Sequence, residues 1–91
     1  MGKYTYKQED EQVFVVSGDM KLSDFEALTN FGIEDPRMTT IAGVAFRHLG
    51  RVPKEGDTIN LEGIRITVLE MKGNRIVRLR ASKMDEPEED E

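Results

Sequence analysis

Few residues in this chain combine the type and the spacing that chemistry requires. His48 is the only histidine, and there is no cysteine. A lone imidazole with no thiolate or second histidine at ligand spacing does not make a transition-metal site. The absence of cysteine also removes disulfides, thiolate nucleophiles and Cys-based zinc sites. His48 closes a helical pattern, where a protonated ring favours the negative helix end, so it reads as structural. Ser17, Ser23 and Ser82 have no Gly-x-Ser-x-Gly setting, and the glycines form no phosphate-cradling pattern. Asp19, Asp24, Asp35 and Asp57 fall near turns or helix starts, where carboxylates cap or face water. Hard cations accept scattered carboxylates, which leaves a weak surface Mg²⁺ or Ca²⁺ site open, although no EF-hand spacing is present. No catalytic set emerges, and the chain reads as a non-enzyme.

Arg65, Arg75, Arg78, Arg80 and Lys83 make the one basic cluster. Nucleic-acid binding wants a net basic body and stacking aromatics. This cluster contains no aromatic, and the body is not basic. The formal net charge is −5, but Asp85 to Glu91 hold six of the 18 acids. The other 12 face 13 Lys and Arg, so the body carries +1. A terminal run of this composition is expected to be a disordered, solvated tail. The 91 residues thus read as one domain over 1–83 and an acidic tail over 84–91. No apolar run approaches the ~18–20 residues that a membrane-crossing helix needs.

Hydrophobic periodicity supplies the elements that would position these residues. Gln8 to Gln12 form a polar break between two β-prone runs. Val13 to Val16 read as a strand buried on both faces. Ser23-Asp24-Phe25-Glu26 predicts a capping box, with Ser23 as N-cap and Glu26 reaching back to it. Leu22, Phe25 and Leu28 share a helix face, and Gly32 closes that helix. A second helix carries Ile41, Val44, Ala45 and Leu49, capped by Thr39 or Thr40. Gly43 inside it implies close approach of another backbone. Gly50 and Pro53 end it. Gly56-Asp57 is a turn, and strands follow over 58–61, 64–72 and 75–82.

The order β-β-α-α-β-β-β predicts an α+β fold with a mostly antiparallel sheet. The Gly73-Asn74 turn sets Lys72 opposite Arg75. Pairing then continues through Met71–Ile76, Glu70–Val77 and Leu69–Arg78 to Ile66–Ala81. In that register Ile64, Ile66, Val68, Val77, Leu79 and Ala81 face the core. Leu69, Met71, Ile76, Arg78 and Arg80 share the opposite face. Apolar residues beside arginines suit an interaction surface. Gly43, Gly50, Pro53, Gly56 and Asp57 are assigned structural turn and packing roles.

Several segments together resemble the transporter-associated domain of the CorC/HlyC family. They are Thr40-Ile41-Ala42-Gly43-Val44, Leu49-Gly50-Arg51-Val52-Pro53, Gly56-Asp57, Ile64 to Val68 and Arg75 to Arg80. Val15 to Asp19 and Leu22 to Phe25 are similar to that family's opening strand and first helix. The resemblance covers about Val13 to Ala81. It implies a C-terminal position in a longer chain, after a membrane domain and a pair of CBS modules, on the cytoplasmic face of the cell membrane. It implies relatives described as magnesium and cobalt efflux or hemolysin-like proteins. The role it implies is modulation of ion transport without catalysis. The expected partners are the membrane and CBS-pair domains of the parent chain, or a second copy as a homodimer. The family fold is similar to part of an FAD-binding domain of certain oxidases. Binding of FAD or an adenine nucleotide is therefore one alternative, and divalent-cation sensing is another. No cofactor is expected, because fold likeness alone does not carry function.

Overall fold

A computed structural model of the chain describes residues 6–84. The acidic run 85–91 lies outside the described residues. The elements are β1 (Tyr6–Asp10), β2 (Val13–Ser17), α1 (Leu22–Thr29), α2 (Ile41–Leu49), β3 (Thr58–Leu61), β4 (Ile64–Lys72) and β5 (Arg75–Lys83). This is the expected order. One antiparallel sheet runs β1-β2-β5-β4-β3. The polar residues Gln8, Glu9 and Asp10 belong to β1 and do not interrupt it. They are tolerated because β1 is an edge strand exposed along its whole length.

Both helices pack on one face of this sheet. Phe14 and Val16 of β2, Ile64, Ile66 and Val68 of β4, and Ile76, Leu79 and Ala81 of β5 form a single buried cluster. Phe25 of α1 and Ile41, Val44 and Ala45 of α2 close over it. Phe31, in the loop after α1, sets its ring edge-on to Phe14 and Phe25, with centroids 5.8 and 6.1 Å away. Each large buried side chain contributes about 1.5–3 kcal/mol by leaving water. Val13 and Val15 are only half-buried. β2 therefore has one core face, not the two predicted, because among the described residues no layer covers the sheet's other side.

The turns follow local chemistry. Glu62 (φ 52°) and Gly63 (φ 85°) are both left-handed, as a type I′ turn between β3 and β4 requires. Gly73 adopts φ 61° at the first central position of the β4–β5 turn.

The β4–β5 register departs from expectation in its middle. Pairing runs Ile66–Ala81, Thr67–Arg80 and Val68–Leu79, then Glu70–Arg78, Met71–Ile76 and Lys72–Arg75. Leu69 and Val77 are each passed over, so two bulges on opposite strands cancel. The predicted pairs Glu70–Val77 and Leu69–Arg78 do not form. Each bulge shifts the alternation by one residue. Ile76 turns into the core at 3% exposure, while Val77 leaves it half-buried. Gly18, which follows β2, packs against this irregularity. Its N–H donates to the Val77 carbonyl at 2.9 Å. A Cβ built there would land on the Ile76 carbonyl oxygen. The close backbone approach expected at Gly43 thus belongs to Gly18. Gly43 instead has side chains nearby, with a built Cβ 3.1 Å from Met38 Sδ and 3.2 Å from Thr40 Oγ1.

Candidate contact surface

The sheet face opposite the helices is uncovered among the described residues. Registry places Lys7, Val15, Arg80, Thr67 and Thr58 in one row across all five strands. Val13, Ser82, Arg65 and Asn60 form the next row. Val15, Leu69 and Arg78 line a shallow depression of about 370 Å³, bordered by Tyr6, Lys7 and Glu9. Tyr6 is 52% exposed at its edge. Arg80 Nε lies 3.4 Å from Glu9 Oε1, and Arg78 Nη2 lies 3.2 Å from Glu70 Oε1. Pairs this open to water contribute about 0–1 kcal/mol and constrain the surface little.

Three of the five residues assigned to a contact surface therefore lie on or beside this open face: Leu69, Arg78 and Arg80. Two do not. Ile76 is buried beneath the helices, and Met71 is half-buried and packed against the core. Val13 and Val15 complete the face. The sequence does not single them out, because a four-residue apolar run reads as fully buried. Their alternation with buried Phe14 and Val16 becomes visible only once the sheet is known to have one covered side.

The turn residues assemble into one loop. Gly50 caps α2 in the left-handed region, with its N–H bonded to the Phe46 carbonyl. Pro53 is buried. Gly56 (φ 96°) stands third in the Lys54–Asp57 turn, as a type II turn requires. Asp57 Oδ2 accepts from Arg51 Nη1 and from the Lys54 N–H, both at 2.8 Å. The hydrogen bond from Arg51, followed by that from Lys54, holds the Asp57 carboxyl below its ordinary range. Gly56 and Asp57 also bond to both backbone groups of Val68, and Glu55 Oε2 accepts from the Met71 N–H at 3.1 Å. The loop thereby prolongs β3 alongside β4.

The helix starts are likewise occupied by protein. Ile41 N–H donates to the Met20 carbonyl, Ala42 N–H to the Gly18 carbonyl and Gly43 N–H to Thr40 Oγ1, each at 3.0 Å. Thr40 is thus the N-cap of α2. These partners use the donors that would otherwise face an anion. α1 begins differently from expectation. Its N-cap position is Lys21, with no side-chain cap, and Leu22 N–H donates to the Thr39 carbonyl. The capping box does not form. Glu26 turns to the far end, where its oxygens accept from Gly32 N–H at 2.6 Å and Ile33 N–H at 3.0 Å. Asn30, at φ 56°, closes α1 in place of Gly32. Asp35 is buried, bonded to the Arg37 N–H and 3.4 Å from Arg47 Nη1. His48 is exposed beside a cleft of about 90 Å³ that Glu34 and Glu62 also line. Among the described residues, no group of three His, Asp or Glu side chains comes together to hold a metal.

A family model described as a transporter associated domain, CorC_HlyC, matches residues 7–85. The chain belongs to the CorC/HlyC transporter-associated domain family. It is 29% identical over 87 residues to hemolysin C of Brachyspira hyodysenteriae, covering 87% of this chain and 32% of that protein. It is also 29% identical over 80 residues to the magnesium and cobalt efflux protein CorC of Pasteurella multocida, covering 88% of this chain and 27% of that one. The chain thus spans about a third or less of the curated relatives it matches. A hemolysin domain from Enterococcus faecalis V583 superposes with a TM-score of 0.79 at 28% identity, covering 88% of this chain and 98% of the other. Two solved structures below 25% identity share the fold, each covering 88% of this chain and 98% of the other. One is a CorC_HlyC domain of a Xylella fastidiosa Temecula1 hemolysin in complex with Mg²⁺ and Mn²⁺, with a TM-score of 0.75 at 22% identity. The other is the transporter associated domain of a CBS domain protein from Porphyromonas gingivalis, with a TM-score of 0.77 at 20% identity.

Proposed function

We propose that this CorC/HlyC domain is a non-catalytic contact module on the cytoplasmic side of a longer membrane protein, where it modulates divalent-cation transport by docking on neighbouring CBS modules. The uncovered sheet face carries the reading. A rigid five-stranded platform presents Val13, Val15 and Leu69 among Arg65, Arg78 and Arg80, an apolar and arginine mixture suited to an interface core and rim. The names of the relatives, magnesium and cobalt efflux among them, point to the transport setting. The span of a third or less of their length points to a module inside a larger chain.

The test is made in the parent protein. Leu69→Asp with Arg78→Glu changes the open face and leaves the core residues untouched. Cells carrying the double variant should show altered cobalt tolerance while the parent accumulates at its normal level. The isolated domain carrying the same changes should keep its circular dichroism. Unchanged tolerance with normal accumulation refutes docking through this face. Sedimentation of the isolated domain tests the alternative partner, a second copy: loss of dimer mass in the double variant would identify self-association.

A further inference from the structure

A different surface lies on the helix side of the sheet, where α2 meets the turn end of the β4–β5 hairpin. Ala42 and Gly43 of α2 and Ile76 of β5 border an open groove of about 450 Å³, with Met38 and Phe46 as apolar walls. Phe46 is 37% exposed, although the adjacent Val44 and Ala45 are buried. A single exposed apolar residue means little. Here the ring belongs to a concave apolar site continuous with the core residue Ile76.

The rim of this groove is cationic. Arg47 and Arg75 line it. Arg47 reaches Asp35, but Arg75 has no ion-pair partner among the described residues. Lys72 stands directly across the hairpin from Arg75. Like charges in that position repel, and Gly73 and Asn74 at the tip bring no carboxylate to relieve them. Glu55 accepts from the Met71 N–H beside Lys72, so the apolar groove adjoins a hairpin end whose Arg75 has no ion-pair partner among the described residues.

We propose that this groove docks an acidic amphipathic segment of a partner protein. The segment inserts one apolar side chain beside Phe46 and Ile76, and its carboxylates meet Arg75 and Arg47. Charge selects the occupant: carboxylates relieve the Lys72–Arg75 repulsion, whereas a basic segment would add to it. The open shape selects a macromolecular segment over a small molecule, since small ligands take pockets that enclose most of their surface. An apolar stripe laid in a groove is an established mode of peptide recognition. The groove lies on the opposite side of the sheet from the open face, so either surface can fail without the other.

The experiment is an amide NMR titration of the chain with two short blocked peptides, one alternating pairs of Glu and Leu, the other pairs of Lys and Leu. The acidic peptide should shift the Gly43, Phe46 and Asn74 signals saturably, and less so in high salt. The basic peptide should leave them in place. Arg75→Glu should weaken acidic-peptide binding roughly tenfold, the cost of losing a favourable charge pair. Phe46→Ala should remove saturation, and Leu69→Asp on the far side should change nothing. Equal binding of both peptides, shifts confined to the open sheet face, or no saturable shift at Gly43 and Phe46 would each overturn the proposal.

Discussion

Gly18 owes its identity to a contact, not to a turn. A Cβ here would fall on the Ile76 carbonyl oxygen, and the Gly18 amide donates to the Val77 carbonyl. A methyl group at this position must move backbone. Gly18→Ala is expected to destabilise by about 1–3 kcal/mol, seen as a lower urea midpoint at unchanged slope. Asp57 is set by charge. Arg51 and the Lys54 amide lower its folded pKa below the ordinary value of 3.8. A carboxylate depressed in this way stabilises the fold above its unfolded pKa and loses that contribution as pH falls through the folded value. The stability gap between the native chain and Asp57→Asn should thus be full above about pH 5 and close progressively in acid. Urea midpoints across pH would follow it. A gap that widens on acidification would contradict the Arg51–Asp57 account.

At the scale of elements, the two helices are secured by different devices. α2 has a side-chain cap, and Thr40→Ala should cost about 1 kcal/mol. α1 is held from its far end, where Glu26 accepts two amides of the following loop. Hydrogen bonds to a charged group contribute about 1.5–3 kcal/mol. Glu26→Ala should therefore destabilise by an amount in that range, whereas exposed Ser23→Ala should stay within about 0.5 kcal/mol. Thermal denaturation of the pair separates the two devices: comparable losses would restore the capping box. The cancelling bulges at Leu69 and Val77 also act at this scale. They leave both ends of the hairpin in the register set by Gly73-Asn74 but exchange the faces of its turn end, so that Met71 and Ile76 face the helices. This brings Ile76 under α2 and leaves Leu69 outside the core.

For the whole molecule, one buried cluster joins all three central strands and both helices, so the domain should unfold as a unit. Phe25 is fully buried within the aromatic group completed by Phe14 and Phe31. Phe25→Ala should cost about 3–5 kcal/mol. That is a large share of the ~5–15 kcal/mol available to a small domain. Calorimetry should then show a single transition at a markedly lower temperature. Two resolved transitions would indicate that the helices and sheet are separate units. Among the described residues this two-layer arrangement leaves one sheet face without cover, and that face is where the proposed transport-modulating contact is placed.

The sequence by itself determined the order of elements and, within a residue, the limits of α2 and the strands β2 to β5, but not those of β1 and α1. It also determined the turns at Glu62-Gly63 and Gly73-Asn74 and the Gly50 stop, and narrowed the α2 cap to Thr39 or Thr40. These depend on backbone preferences and on hydrogen bonds spanning a few residues, so a local pattern is enough to read them. The family resemblance rested on the same turn and core residues. Only the tertiary structure decided that Ile76 is core and Val77 is not. It alone decided that Glu26 holds the chain after α1, that Gly18 is the site of close approach, and that Val15 faces outward. The decisive neighbours of Ile76, Val77, Gly18 and Val15 lie far away in sequence. For Glu26, the partners are two amides six and seven residues ahead, in a loop whose Phe31 and Ile33 pack with the core. A two-residue periodicity cannot register a bulge that packs against a glycine distant in sequence, and burial on a sheet face depends on whether a second layer covers it.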